Sequence, residues 1–134
     1  MKPSLEADKV YLVHMLECAG RIDEYVGGDE TRFRASRLIQ DAVVRNLQTL
    51  AESSQRLTDA IKASEPDVPW RAISGFRNIL VHDYLAIDVD AVWLVVDQEL
   101  PRLHAALQRM ATRFKWSERA KPERSVKHEK ARRA

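Results

Sequence analysis

Apolar residues recur every three or four positions along most of this chain of 134 residues. That spacing brings the apolar side chains onto one face of an α-helix, whereas a half-buried β-strand would show strict alternation. The chain also has only four glycines, so few positions favour a break in a helix. The pattern therefore predicts an all-α fold, an antiparallel bundle of four to five helices.

Two long helices are predicted in the first half of the chain. The first ends at Gly27 and Gly28, as helices commonly do. Its apolar face consists of Leu12, Met15, Leu16, Ala19, Ile22 and Val26. The second is predicted as one continuous helix over residues 31–63, a length typical of the spine of a bundle. Its apolar face consists of Ile39, Val43, Leu47, Leu50, Leu57 and Ile61.

Two more helices are predicted after a proline-containing segment, because proline lacks an amide donor and disfavours helix in the residue before it. The third helix begins near Pro69 or Trp70. Its apolar positions are Ile73, Phe76, Leu80 and Val81. The last helix follows Asp88, a good N-cap residue, and continues to Phe114. Pro101 should kink this helix rather than end it, because the apolar spacing resumes in phase afterwards.

Charge is distributed unevenly along the chain. Its formal net charge is +2 at pH 7, too small to mark the whole chain as a polyanion binder. Seven basic and three acidic residues lie within residues 117–134, so this tail carries +4 and the remainder −2. We predict a single helical domain over residues 1–116 and a basic, disordered tail over residues 117–134. Two interpretations of the tail stay open, phosphate contacts with RNA and a solubilising extension.

Several classes of protein and site are disfavoured by what the sequence lacks. The longest apolar run, residues 91–96, has six residues, far fewer than the roughly 20 of a membrane span. Glu6 and Asp8 interrupt any signal-peptide pattern, so we predict a soluble cytoplasmic protein with no membrane contact. Cys18 is the only cysteine and the four histidines lie in separate segments. No disulfide, metal site or cofactor is therefore predicted.

One polar cluster stands out in residues 75–84, which read GFRNILVHDY. Arg77 and His82 are five positions apart, about 140° on an ideal helix, so they do not share a face, whereas Asn78 and His82 do. For Arg77 to act with His82, two arrangements are possible. Either the helix ends near Val81 and frees the imidazole, or a second copy of the segment completes the site in a two-fold dimer.

These residue types suit metal-free cleavage of RNA. Histidine can take a proton from a ribose 2′-hydroxyl or return one to the leaving oxygen, since its ordinary pKa lies near 6.5. The Arg77 fork suits a phosphate and the charge that builds up as the 2′-oxygen attacks it. DNA lacks the 2′-hydroxyl and would not react.

A polar face on the second predicted helix is a companion feature. Asp41, Arg45, Gln48 and Glu52 are spaced by four, three and four residues, so they share one side of the helix. One interpretation is a solvated face with local ion pairs. The other makes Arg45 a second phosphate contact.

These motifs together resemble the HepT-like family of the HEPN superfamily, also known as DUF86. The resemblance covers roughly residues 5–112. It rests on DVPWR at residues 67–71, the run GFRNILVHDY, then Ile87, Asp88, Val92 and Trp93. Upstream, DAVVRNL at residues 41–47 with Glu52 is similar to the family's long second helix.

The resemblance implies a homodimeric helical bundle that acts as the ribonuclease toxin of a toxin–antitoxin pair. The implied partner is a minimal nucleotidyltransferase that neutralises the toxin. Arg77 and His82 match the superfamily's catalytic arginine and histidine, and Asn78 matches the polar residue that often follows that arginine. Tyr84 matches the tyrosine that the partner modifies with AMP, which would block an RNA phosphate sterically and electrostatically. The alternative is a catalytically silent HEPN module that binds a nucleotide or a nucleotidyltransferase.

Overall fold

The computed structural model describes residues 4–76, residues 86–114 and the backbone of residues 81–82. The helices of the first half are α1 (Leu5–Val26), α2 (Glu30–Ala35), α3 (Arg37–Gln55) and α4 (Asp59–Lys62). They are followed by α5 (Trp70–Ser74), β1 (Val81–His82) and β2 (Ala86–Ile87). The chain continues through α6 (Val89–Leu94), a π-helical turn (Val95–Glu99) and α7 (Leu100–Arg113). The predicted all-α fold is confirmed, with one short β-hairpin added to it.

The core lies where α1 packs against α3 and α7. The three helices contribute apolar side chains that are fully buried: Leu12, Met15, Ile22, Leu47, Leu50, Leu107 and Met110. Cys18 is part of this core, and burial raises the pKa of its thiol. Removing such side chains from water is the main favourable contribution to folding.

The end predicted for the first helix is confirmed. Gly27 follows α1 in the left-handed conformation (φ 59°), and its amide donates to the carbonyl of Asp23. Gly28 also has a positive φ, at 70°. Glycine is favoured here because it has no Cβ to clash in this conformation.

The second predicted helix is wrong in its extent, because three helices, α2, α3 and α4, form where one was expected. Ser36 is extended (φ −122°, ψ 110°), and its hydroxyl accepts a hydrogen bond from the amide of Ile39. The Gln40 side-chain amide donates to two carbonyls at the end of α2. After α3, the amide and hydroxyl of Thr58 donate to the buried Asp8 carboxylate, at 2.8 and 2.6 Å. Side chains therefore satisfy the backbone groups that each break exposes.

The third predicted helix is too long at its C-terminal end. Regular helix α5 ends at Ser74, and Val81, which was expected on a helix, lies in β1. β1 pairs antiparallel with β2, with Val81 opposite Ile87 and His82 opposite Ala86. β-branched residues at paired positions favour extended backbone. Leu80, also expected on this helix, lies outside the described residues.

The last helix is confirmed over its predicted length, and its irregularity lies just before Pro101. Asp88 caps α6 by accepting a hydrogen bond from the amide of Ala91 at 3.0 Å. The amide of Leu100 donates to the carbonyl of Val95, five residues earlier, which defines the π-helical turn. Pro101 has no amide to continue the α-helical bonding pattern, so the extra residue is accommodated at that point.

Helix α6 is held against α2 by one aromatic and one charged contact. The rings of Phe33 and Trp93 lie 5.5 Å apart, and an Arg34 guanidinium nitrogen lies 2.7 Å from an Asp90 carboxylate oxygen. Because β2 leads directly into α6, these contacts position the C-terminal end of the hairpin. None of the helices described in the structure is both long and apolar enough to cross a membrane.

Candidate functional site

Most of the predicted catalytic cluster falls on residues that the structure does not describe. Arg77, Asn78 and Tyr84 lie outside the described residues, as does the side chain of His82. The backbone of His82 is described and is extended in β1. This agrees with the first of the two arrangements considered above, in which the helix ends before His82.

The chain enters this segment from α5, which is anchored at both ends. At its start, the indole nitrogen of Trp70 donates to the carbonyls of Lys62 and Glu65, at 3.1 and 3.2 Å. At its end, the Gln55 side-chain amide donates to the Ser74 carbonyl at 3.3 Å, and the hydroxyls of Ser54 and Ser74 lie 3.5 Å apart. Contacts with α3 therefore fix the position of Ser74, three residues before Arg77 in the sequence.

A polar cleft of about 360 Å³ lies between α3 and the end of α5. We call it the α3–α5 cleft. Its lining is mostly polar: Gln48, Ala51, Glu52, Gln55, Arg56 and Ser74. The side chains of Gln48, Glu52 and Arg56 make no hydrogen bond or ion pair with any residue in the described part of the chain. Their polar groups are therefore available to a ligand.

Arg45 is exposed on the same side of α3, one turn before the cleft. Its guanidinium has no hydrogen bond or ion pair among the residues described. Asp41 lies 3.8 Å from Arg37, so local ion pairing accounts for the start of the polar face only. On an ideal helix the whole face, from residue 41 to residue 56, spans an arc of about 100°.

Sequence reasoning missed Gln55, Arg56 and Ser74. A signal for Arg56 was present, because it follows Glu52 by four residues and extends the 4-3-4 spacing of the polar face by one more step. Ser74 had no comparable signal, since its place in the cleft depends on how α5 packs against α3.

A second charged cluster holds the loop before α5 against α7. The carboxylate of Glu65, only 6% exposed, lies 2.8 Å from Arg109 and 2.6 Å from Arg113. Hydrogen bonds from Arg109, and then from Arg113, lower the pKa of Glu65. Nearby, a cavity of about 380 Å³ separates the segment ending at Phe76 from α7.

A histidine outside the cleft joins two helices of the bundle. The Nδ1 of His104 lies 3.3 Å from an Asp23 carboxylate oxygen, which joins α7 to α1. Within the described ranges, no three His, Cys, Asp or Glu side chains lie close enough together to bind a metal ion.

Comparison with known proteins gives a consistent family. The family model described as ribonuclease HepT-like matches residues 15–110. A Methanocaldococcus jannaschii protein, named as a candidate RNase, is 32% identical over 96 residues, which cover 71% of this chain and 88% of that protein. The "probable ribonuclease HepT" of Thermococcus cleftensis is 29% identical over 108 residues, covering 76% of this chain and 94% of that protein. No solved structure is similar enough to count as a match.

Proposed function

The chain belongs to the ribonuclease HepT-like family, and from that membership we propose that it is a metal-independent endoribonuclease, the toxin of a type VII-like HEPN toxin–antitoxin pair. It acts as a homodimer, with the catalytic groups in a cleft at the dimer interface. Its substrate is RNA, and it uses no cofactor.

The catalytic groups are the Arg77 guanidinium and the His82 imidazole. The imidazole takes the proton of a ribose 2′-hydroxyl, and the 2′-oxygen attacks the adjacent phosphorus. The bond from phosphorus to the 5′-oxygen breaks, and that oxygen receives a proton from an imidazolium. Arg77 stabilises the charge on the phosphoryl oxygens during attack. The products are a 2′,3′-cyclic phosphate end and a 5′-hydroxyl end.

The observation that carries this proposal is the α3–α5 cleft at the entrance to the catalytic segment. Ser74 lines the cleft and Arg77 follows it by three residues. The guanidiniums of Arg45 on α3 and of Arg56, which directly follows α3, have no partner within the described chain. Arginine on an exposed face suits the RNA phosphates on either side of a scissile bond. Asn78 adds a hydrogen bond to the substrate from within the segment.

Regulation acts at Tyr84. Its place in sequence, two residues after His82, puts a modified tyrosine next to the catalytic histidine. A cognate minimal nucleotidyltransferase transfers AMP from ATP to the tyrosine hydroxyl: the tyrosine oxygen bonds to the α-phosphorus, pyrophosphate leaves and the hydroxyl proton is released. The added phosphate repels an RNA phosphate and the adenosine occupies the space that the substrate needs.

The direct test is RNA cleavage by the purified chain in the presence of EDTA. We expect cleavage to persist and the products to carry 2′,3′-cyclic phosphate and 5′-hydroxyl ends. The substitutions His82→Ala and Arg77→Ala should each lower the rate by about a hundredfold or more, as removal of an acid–base group or an oxyanion contact does. Loss of cleavage with EDTA would contradict the metal-independent mechanism.

A growth experiment distinguishes the toxin from a catalytically silent module. Induced expression should arrest growth, and either substitution should relieve the arrest. If both variants stay as toxic as the natural chain while their RNA cleavage is lost, toxicity comes from binding, which is the alternative function considered above.

A further inference from the structure

The cavity between α5 and α7 is distinct from the α3–α5 cleft and has a different chemical character. Its floor is apolar and consists of Ile73, Phe76 and Leu103, all at most 4% exposed. Its volume, about 380 Å³, is within the range of small-molecule sites. We call it the α5–α7 pocket.

The rim of the α5–α7 pocket carries charges of both signs. Asp67 and Glu99 supply carboxylates, and Arg102 and Arg109 supply guanidiniums. Arg109 is held by Glu65, and the charge of the Asp67 carboxylate also raises the pKa of Arg109. The side chains of Glu99 and Arg102 form no ion pair or hydrogen bond with another described residue. The rim therefore offers hydrogen-bond acceptors and donors above an apolar floor.

We propose that the α5–α7 pocket binds one unstacked base of the RNA substrate, and that it prefers a base with an exocyclic amino group over uracil. The inference rests on the proposed ribonuclease function and assigns a base preference to it. Of the three parts of a nucleotide, only the base has an apolar face with polar edges, and single-stranded RNA is commonly recognised by enclosing such a base.

The charges and the apolar floor of the α5–α7 pocket favour the base of RNA over its phosphate as the occupant. A phosphate on the apolar floor would lose its water, which is unfavourable. At the rim, the two carboxylates offset the two guanidiniums, so the rim as a whole offers no net attraction for an anion. The carboxylates of Asp67 and Glu99 accept hydrogen bonds from the amino groups of cytosine, adenine and guanine. Uracil presents carbonyl oxygens where those bases present amino groups, so it lacks the exocyclic donor that the carboxylates accept from and has only its N3–H to offer them. Arg102 is then left for the phosphate that joins the bound nucleotide to the next.

Position along the chain links the pocket to cleavage. Phe76 contributes to the floor, and the next residue is the proposed catalytic Arg77. Consecutive Cα atoms are about 3.8 Å apart. A base seated against Phe76 therefore lies close to the backbone of the proposed catalytic residue, and we expect base identity to affect the rate of cleavage.

The test uses the full chain with His82→Ala, so that bound RNA is not cleaved, and follows the methyl NMR signals of Ile73 and Leu103. CMP and AMP should shift both signals, and inorganic phosphate should not. CMP should bind about tenfold more tightly than UMP, as one well-placed base-edge hydrogen bond provides. Equal affinity for CMP and UMP, or no response of the Ile73 methyls, would overturn the proposal.

Variants at the rim test the cause of the preference. Asp67→Asn combined with Glu99→Gln should reduce the CMP preference to about twofold or less, since the discriminating acceptors are weakened. Asp97→Asn is the matched control, because Asp97 is an exposed acid that precedes α7 and does not line the pocket. The Asp97→Asn variant should keep the preference for CMP over UMP. A preference that survives the double substitution would overturn the proposal.

Further results distinguish the base pocket from a peptide-binding pocket and from the proposed ribonuclease function. If a synthetic peptide of residues 117–134 shifts the same methyl signals and no nucleotide does, the pocket binds peptide and the proposal fails. If the natural chain cleaves no RNA but CMP is still preferred over UMP, the proposed function falls while the base pocket stands. If the natural chain cleaves equally well after cytidine and uridine and no nucleotide shifts the methyl signals, the base pocket fails while the proposed function stands.

Discussion

Glu65 is a buried carboxylate that connects the loop before α5 to the last helix. It accepts hydrogen bonds from Arg109 and Arg113, and its backbone carbonyl accepts one from Trp70. These contacts position α5, and α5 in turn leads into the segment that holds the proposed catalytic residues. No motif in the sequence marks Glu65, because its role depends on two arginines more than 40 residues away.

We expect Glu65→Gln to lower the free energy of unfolding by about 1 kcal/mol at pH 7, since exposed arginine partners limit the contribution of the pair. The pKa of Glu65 is lowered from its ordinary 4.5, first by Arg109 and then by Arg113. The stabilisation is therefore fully present above about pH 4.5 and is lost as pH falls through the lower pKa of the folded state. Urea denaturation at pH 7 and pH 3 should show the difference between the natural chain and the variant shrinking. Glu24→Gln, at an exposed position, is the control and should change stability little at either pH.

Near the cleft, the sequence offered Arg45 as a phosphate contact in one of two open interpretations, and it missed Arg56. Both guanidiniums are exposed and lack a partner among described residues, so each is expected to bind a phosphate. Arg56→Ala should lower kcat/KM for RNA about tenfold, as the loss of one charge-assisted hydrogen bond does, with the unfolding midpoint unchanged. Arg32→Ala, a charge removed from exposed α2, should leave kcat/KM unchanged. An unchanged rate for Arg56→Ala would exclude it from substrate binding.

At the scale of elements, the sequence predicted helices wherever apolar spacing and end signals agreed. Gly27 after α1 and Asp88 before α6 were found this way. The break at Ser36 was missed because Ser36 precedes Ile39, the first residue of the predicted apolar face, so only the side-chain hydrogen bonds of Ser36 and Gln40 reveal it. The hairpin was missed because strands of two residues are too short to show alternation.

Gly20 within α1 and Gly27 at its end should respond in opposite ways to substitution by alanine. Gly27 has φ 59°, so Gly27→Ala should destabilise the fold by about 1 kcal/mol even though the added Cβ would meet only an ordinary contact. Gly20 lies within α1 and its added Cβ would meet nothing within 4 Å. Gly20→Ala should therefore stabilise the fold by about 0.5–1 kcal/mol. Thermal denaturation of both variants checks the opposite signs, and a shift of the same sign in both would contradict this account of α1.

At the scale of the whole molecule, the family and the bundle were predictable because their motifs are local in sequence. The proposed pairing of two copies is not visible in one chain, but an exposed apolar side chain suggests where such an interface would form. Leu38 on α3 is 79% exposed, the most exposed of the large apolar side chains among described residues. It precedes Arg45 by seven residues, about two helical turns, and so lies on the same face of α3. A dimer formed through this face would bring both copies of Arg45 to one cleft.

We expect Leu38→Arg to weaken dimerisation at least about tenfold, because each copy loses a buried leucine worth about 1.5–3 kcal/mol and gains a charge facing its own symmetry mate. Sedimentation velocity over a range of concentrations measures this, and RNA cleavage should fall with the fraction of dimer. Leu5→Arg is the matched control, since Leu5 on α1 is 63% exposed and lies on another helix. If Leu5→Arg dissociates the dimer and Leu38→Arg does not, the interface lies on α1 and the two Arg45 side chains cannot share a cleft. Recovery of cleavage at high concentration of Leu38→Arg would show that the variant's catalytic groups are intact and that assembly of the second copy completes the site.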